Sequence, residues 1–305
     1  MTNDEIRMTN TEERRLECAG VGYLFVIRIS SLPPLSCIAT PSRVSSPMDW
    51  GKELMVCGAG FIAGMMNAMA GGGTVVTFPA LLWVGLSGME ANMTSTVALF
   101  PGMPLSAWSF RKHIGELSHW LLKLAPIALL GGLAGGVLLL KTGSAVFDFI
   151  VPWLLLLATV LFMGNGPVTR WLRRRQKDHD EPHQLKPWGV FMLACVAVYG
   201  GYFGAGIGIM MLATLGLLGL RDINQMNALK VVLALLMNFS AVVWFIMKGG
   251  VTWHWAWWLM AGSMSGYWLG SHLAQRIPAA WVRGIASLIG LAISIQLFVK
   301  QWSHP

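Results

Sequence analysis

The sequence predicts an all-α, polytopic membrane protein built from two inverted repeats, each with a short glycine-broken hairpin and three long transmembrane helices. Three observations lead there. Of 305 residues, 55% are apolar and only 12% are charged, about half the charged share of a soluble globular chain. Mean hydropathy is +0.58, so the apolar surplus exceeds what a polar surface could wrap and must face lipid. The apolar residues also gather into segments of membrane-helix length that recur in the same order in both halves. This composition excludes a disordered chain, which needs high charge and low hydrophobicity, and an ordinary soluble enzyme.

Residues 1–47 differ in kind from the rest. Acids and bases mix through Asp4, Glu5, Glu12, Glu13, Arg14, Arg15 and Glu17, and one apolar run spans Gly20 to Ile29. That run is shorter than the ~20 residues a membrane helix needs. A signal peptide is a poor fit, because the segment before the run is not clearly basic. A Pro/Ser stretch from Ser31 to Pro47 follows, and Met48-Asp49-Trp50 opens the apolar region. The expectation is a poorly structured, dispensable extension with Met48 as the true start.

The first transmembrane repeat is expected over 48–165, with apolar segments at about 54–69, 73–86, 93–110, 120–140 and 148–165. A basic cytoplasmic linker, 166–187, carries Arg170, Arg173, Arg174, Arg175 and Lys177. The second repeat, 188–300, has segments at about 188–202, 205–220, 228–247, 254–273 and 281–300, and 301–305 is a tail. Glycine runs, prolines and charges mark the breaks. The first two segments of each half are short, separated by Gly71-Gly72-Gly73 in one and by Gly204, Gly206 and Gly208 in the other.

Residues 92–138, compared with the stretch 135 positions later, match at Asn92/Asn227, Val97/Val232, Phe110/Phe245, Gly115/Gly250, His119/His254, Trp120/Trp255, Leu124/Leu259, Gly131/Gly266, Gly135/Gly270 and Leu138/Leu273. This points to an internal duplication. With the linker in the cytoplasm, Arg111, Lys112, Lys123, Arg221, Arg276 and Arg283 fall inside, while Lys141, Lys248 and Lys300 fall outside, as the positive-inside rule prefers. Equivalent loops then land on opposite faces, so the halves are inverted. Inverted repeats interrupted at matching places are a transporter signature.

The net charge of +8 is not a nucleic-acid footprint, because the bases cluster in one loop between apolar segments. No metal or cofactor is expected. The cysteines (Cys18, Cys37, Cys57, Cys195) lack paired spacing and read as buried thiols. His119 and His254 sit beside tryptophans as interfacial anchors, His179 and His183 as solvated loop residues, and His272 as a packed or snorkelled residue rather than a proton carrier. No carboxylate is placed inside the membrane, and no carboxylate pair or nucleophile–base arrangement supports an enzyme.

Three successive glycines in hydrocarbon are costly unless the backbone must bend or expose itself. The stretch Asn67-Ala68-Met69-Ala70-Gly71-Gly72-Gly73-Thr74 is therefore a candidate break whose freed N–H groups face an anion, the bland reading being small-residue helix packing. Tyr199-Gly200-Gly201-Tyr202-Phe203-Gly204-Ala205-Gly206-Ile207-Gly208 repeats it in the second half. Asn92 and Asn227, each opening a long segment (Asn92-Met93-Thr94; Asn227-Ala228-Leu229-Lys230), either cap helix starts or converge on a substrate near a pseudo-twofold axis. Lys230 is the one cation placed well inside a segment. It either meets an anion or snorkels.

The stretches "AMAGGGTVVTFPALLWVGL" after Asn67, "EANMTSTVAL", "YGGYFGAGIGIMML" and "INQMNALK" resemble the TauE/SafE family, the sulfite exporter-like membrane transporters, over about residues 54–300. The resemblance implies a multi-pass inner-membrane permease for a small anion, a sulfur oxyanion or organosulfonate or organic acid, in contact with lipid and with no nucleic-acid partner. Self-association stays open. The site candidates are Asn67, Gly71, Gly72, Gly73, Asn92, Thr94, Asn227 and Lys230, and the alternative is a non-transporting membrane scaffold or assembly factor. Side-specific reporters at the C-terminus and in the central basic stretch should read opposite compartments; the same compartment for both contradicts the inversion.

Overall fold

The computed structural model describes residues 50–69, 71–109, 117–175, 187–220, 222–273 and 279–303. The leader at 1–47, the loop charges Arg111, Lys112, Lys177, Arg221 and Arg276, His179, His183, Cys18 and Cys37 lie outside the described residues. Every regular element among the described residues is helical. In chain order they are α1 (Trp50–Met69), α2 (Thr74–Trp83), α3 (Gly88–Leu99), a 3-10 turn (Phe100–Gly102), α4 (Met103–Ser109), α5 (Ser118–Thr142) and α6 (Ser144–Arg175). After the linker come α7 (Pro187–Tyr202), α8 (Ile207–Leu217), α9 (Ile223–Met247), α10 (Trp253–Leu273) and α11 (Ala279–Ser303).

Local chemistry sets several boundaries differently from the sequence expectation. Ser87 caps α3 reciprocally: its hydroxyl accepts from Glu90 N at 3.4 Å, and Glu90 Oε2 accepts from Ser87 N at 3.1 Å. Asp222 caps α9, its Oδ1 accepting from Asn224 N at 2.8 Å. Asn92 and Asn227 thus sit inside their helices, and the capping role considered for them belongs to Ser87 and Asp222. The segment expected at 93–110 is bent. Pro101 and Pro104 lack the N–H that would continue the ladder, and the chain passes through a 3-10 turn into the seven-residue α4. α6 runs on through Arg175 into the stretch expected as linker.

Three described helices combine the length and composition of a membrane crossing: Ser118–Thr142, Ser144–Gly164 and Asn224–Met247. α10, with 21 residues, reaches ~31 Å, the thickness of a hydrocarbon core. α2 and α8, at 10 and 11 residues, reach only ~15–17 Å and cannot cross alone. Trp83, Leu122, Phe149, Met163, Trp268 and Leu288 are each at least 60% exposed, an exterior suited to lipid and not to water.

The most extensive helix pairs are α1 with α10 and α5 with α7. Counting α3–α4 as one bent helix, each pair joins the first helix of one half to the fourth of the other. Glycine permits both. Gly60 and Gly64 of α1 lie on the Leu259 and Ser263 carbonyls, and Gly266 of α10 lies on the Phe61 carbonyl. In the reciprocal pair, Gly131 lies on Ala197 and Gly135 on the Val198 carbonyl. The matched glycines Gly131/Gly266 and Gly135/Gly270 are thus contact points where a Cβ would strike a neighbouring helix. α6 packs on α11. Phe78 of α2, Phe147 of α6 and Phe203 form an aromatic cluster with ring centroids 5.6–6.5 Å apart, which ties α2 to the second glycine break.

Replacing Gly266 by Leu should lower the melting temperature in detergent, overpacking being worth about 1–3 kcal/mol. Gly58→Leu, on α1 but with nothing within 4 Å of its would-be Cβ, should leave it near wild type. Equal shifts for both would remove the close-packing account.

Candidate functional site

Two backbone breaks meet at the site. In the first, Gly71 (φ +79) and Gly72 (φ +99) take the left-handed conformation that other residues resist. Gly71 N donates to Met66 O at 3.0 Å, and Gly73 N donates to the Asn67 side-chain oxygen at 2.6 Å. In the second, Gly204 and Gly206 (both φ +75) turn the chain. The Phe203 and Gly204 N–H groups donate to Tyr199 O at 2.9 and 3.2 Å, and the Tyr199 hydroxyl donates to Ala205 O at 2.7 Å. A side chain of the preceding helix thus satisfies each break. The breaks touch: a Cβ on Gly71 would lie 3.4 Å from Gly208 Cα.

Between them lies a cavity of about 70 Å³, enough for several waters or one small ion. One wall carries Asn67, Gly71, Gly72 and Thr74, then Thr96 and Ser106. The other carries Phe203, Gly204, Ile207, Gly208, Lys230 and Asn238, with Tyr267 and the apolar Leu99, Met103, Val231 and Ala234 completing it. Among the described residues Lys230 is the only charged side chain on the walls, and its ammonium donates to Asn227 Oδ1 at 3.0 Å. No carboxylate among the described residues pairs with it. α2 and α8 both begin at this cavity, at Thr74 and Ile207, so the positive ends of two helix dipoles meet there, each equivalent to roughly half a charge. The Tyr267 hydroxyl hydrogen-bonds Asn67, and its ring rests on Gly102 of the 3-10 turn.

Of the residues expected at the site, Asn67, Gly71, Gly72 and Lys230 line this cavity. The others lie behind it. Gly73 gives its N–H to Asn67 and backs onto Ala63. Asn92, 1% exposed, donates from Nδ2 to Tyr202 O at 2.8 Å and ties α3 to the end of α7. Thr94 Oγ1 accepts from Thr252 N at 3.1 Å, fixing the turn before α10. Asn227 holds the Lys230 head. Neither asparagine lines the cavity.

Sequence reasoning missed Thr96, Ser106, Asn238 and Tyr267. A signal existed for Asn238: Lys230, Ala234 and Asn238 recur at i+4 on one face of an apolar helix. Tyr267 comes from a distant segment and carried none. Two further expectations change. No carboxylate was expected inside the apolar segments, yet Glu53 of α1 is 2% exposed. Its Oε1 lies 3.4 Å from His254 Nε2, so His254 is more than an anchor beside Trp255. Cys195, expected buried, is exposed, while Cys57 is half-buried. His272 is exposed, bonded at 2.8 Å to Trp268 O. Among the described residues no group of three or more His, Cys, Asp or Glu could hold a metal.

A polar, cation-bearing cavity set among apolar helices is the architecture of a membrane transporter. Comparison with known proteins agrees: the family model described as Sulfite exporter TauE/SafE matches residues 56–297, and the chain belongs to that family. A probable membrane transporter protein of Haemophilus influenzae is 27% identical over 84% of this chain and its own full length. One from Sinorhizobium is 28% identical over 81% of this chain and 92% of its own length. The probable membrane transporter protein YfcA of Escherichia coli is 24% identical over 83% and 90%. No solved structure matches the chain.

Proposed function

We propose that the protein is a multi-pass inner-membrane permease that moves a small anion, a sulfur oxyanion or a short organosulfonate or organic acid, by alternating access. The observation that carries this is Lys230, the only charge among the described residues lining a cavity where two half-helices present their positive ends. A cation at that depth is costly without a counter-charge, and an anion in the cavity supplies it. The Thr96, Ser106, Asn238 and Tyr267 polar groups would replace the water that the anion sheds, and the two half-helix ends would add their positive field. The volume of about 70 Å³ sets a small guest, and Leu99, Met103 and Val231 leave room for a short carbon end.

Two inverted repeats account for the repeated element order and for the exchange of partners in α1·α10 and α5·α7. In that scheme each glycine-fastened pair is one rigid body, α1 and α10 carrying one wall and α7 with α5 and α9 the other. Rocking of one against the other opens the cavity to each side in turn.

Sulfite, thiosulfate, a sulfonate and a carboxylate, each screened by thermal shift on purified protein, should include at least one that stabilises it; saturation at a hundred-fold over Kd gives about 2.7 kcal/mol. Lys230→Ala should abolish that shift, and anion flux in proteoliposomes, at unchanged membrane abundance. An unchanged shift removes Lys230 from the site, and absent wild-type flux for every anion returns the scaffold reading.

A further inference from the structure

One face of α9 divides the cavity wall into three parts. Lys230, Ala234 and Asn238 stand one turn apart on that face, and all three line the cavity. The first is a cation, the second a methyl group and the third a neutral amide. Lys230 and Asn238 are eight residues apart, about 12 Å along the helix. An oxyanion with a single centre reaches one end of that row and leaves the other untouched.

The hydrogen bonds already made fix what each group has left to offer. The Lys230 ammonium carries three N–H donors and gives one to Asn227 Oδ1 at 3.0 Å, so two remain for an anionic group. Asn238 Nδ2 donates to Ala234 O at 2.8 Å. A backbone carbonyl only accepts, so this amide has one orientation, with Oδ1 turned away from its own helix. Asn238 is 7% exposed, and its Oδ1 has no hydrogen-bond partner among the described residues. Thr96 of α3 is committed in the same sense. Its hydroxyl donates to Asn92 O at 2.8 Å, which leaves a lone pair for the cavity. Lys230 therefore presents spare donors, while Asn238 and Thr96 present spare acceptors.

A guest made only of acceptors meets that second set badly. A bare oxyanion oxygen against Asn238 Oδ1 sets lone pair against lone pair, and an alkyl end there leaves a buried acceptor unpaired. A hydroxyl on the guest pairs it. Charge selects the same group: a hydroxylated anion balances Lys230, whereas an ammonium in place of the hydroxyl leaves the cavity with an uncompensated cation. The Ala234 methyl between the two ends suits a short run of methylenes, and a cavity of about 70 Å³ keeps that run short.

Resting on the anion-permease reading above, we propose that the substrate is a short hydroxylated anion, an oxyanion head and a hydroxyl joined by a short carbon spacer, and that Asn238 and Thr96 select it by accepting from the hydroxyl.

The test compares isosteres by calorimetric titration of the purified full-length protein. 2-Hydroxyethanesulfonate is set against propane-1-sulfonate, and 3-hydroxypropionate against butyrate, so that within each pair only a hydroxyl is exchanged for a methyl. The hydroxylated member of at least one pair should bind about ten- to hundred-fold more tightly, the ratio that one unpaired buried acceptor produces. 2-Aminoethanesulfonate should bind more weakly than 2-hydroxyethanesulfonate. Asn238→Leu and Thr96→Val, which keep the shape of each side chain without its acceptor, should pull the ratio toward one. Equal or tighter binding of the methyl member in both pairs, or tighter binding of the amino compound, overturns the proposal and leaves the anion permease standing, because anions still bind. Silence from all five compounds overturns it too, and the anion screen described above then decides the permease reading separately. The wild-type ratio needs neither variant, so the test survives a variant that misfolds. A ratio unchanged in both folded variants overturns the selection by Asn238 and Thr96.

Discussion

A helix that starts in the middle of a bilayer exposes up to four N–H groups with no water to receive them, and this constraint governs the structure. α2 and α8 are too short to cross alone, and the proposed reading sets their first turns at depth. Both start beside the same cavity, after glycines that bend the chain through left-handed turns. Asn67 and Tyr199 each answer one break with a side chain from the helix before it. The groups left facing the cavity are a sum of positive ends, to which Lys230 adds a full charge. In the proposed reading an anion balances this charge.

Holding two breaks against each other demands stiff supports, and glycine supplies them too. At Gly64 and Gly266 on one side, and Gly131 and Gly135 on the other, backbones approach to distances that any side chain would forbid. Lipid gives no hydrophobic drive for helix association, so close van der Waals contact has to provide it. The glycines of this chain therefore do two opposed jobs: a few loosen the backbone at the breaks, and many more lock helices together. The cavity sits where the locked pairs face one another.

Much of this was legible in the residues. The glycine runs marked the breaks because few other residues tolerate a positive φ, and Lys230 stood out as a cation inside an apolar run. The matched glycines pointed to a duplication, and the structure gives them their place at the helix contacts. What stayed hidden depended on partners far away in sequence. Asn92 and Asn227 have the residue type of a binding group, but Tyr202 and Lys230 occupy them. The burial of Glu53 was hidden because its partner His254 lies two hundred residues on. The bend at Phe100-Pro101-Gly102 was written in two prolines, yet an apolar stretch of the right length masked it. Tyr267 reached the wall through a helix pairing that no local pattern encodes.

The central claim is that an anion sits between the two breaks beside Lys230. Crystals soaked or grown with bromomethanesulfonate would locate it directly through the anomalous signal of bromine. The account predicts a peak inside the cavity, with the sulfonate oxygens within hydrogen-bond reach of Lys230 Nζ and flanked by Gly72 and Gly204. A bound sulfonate elsewhere in the bundle, with the cavity holding only water, would contradict it.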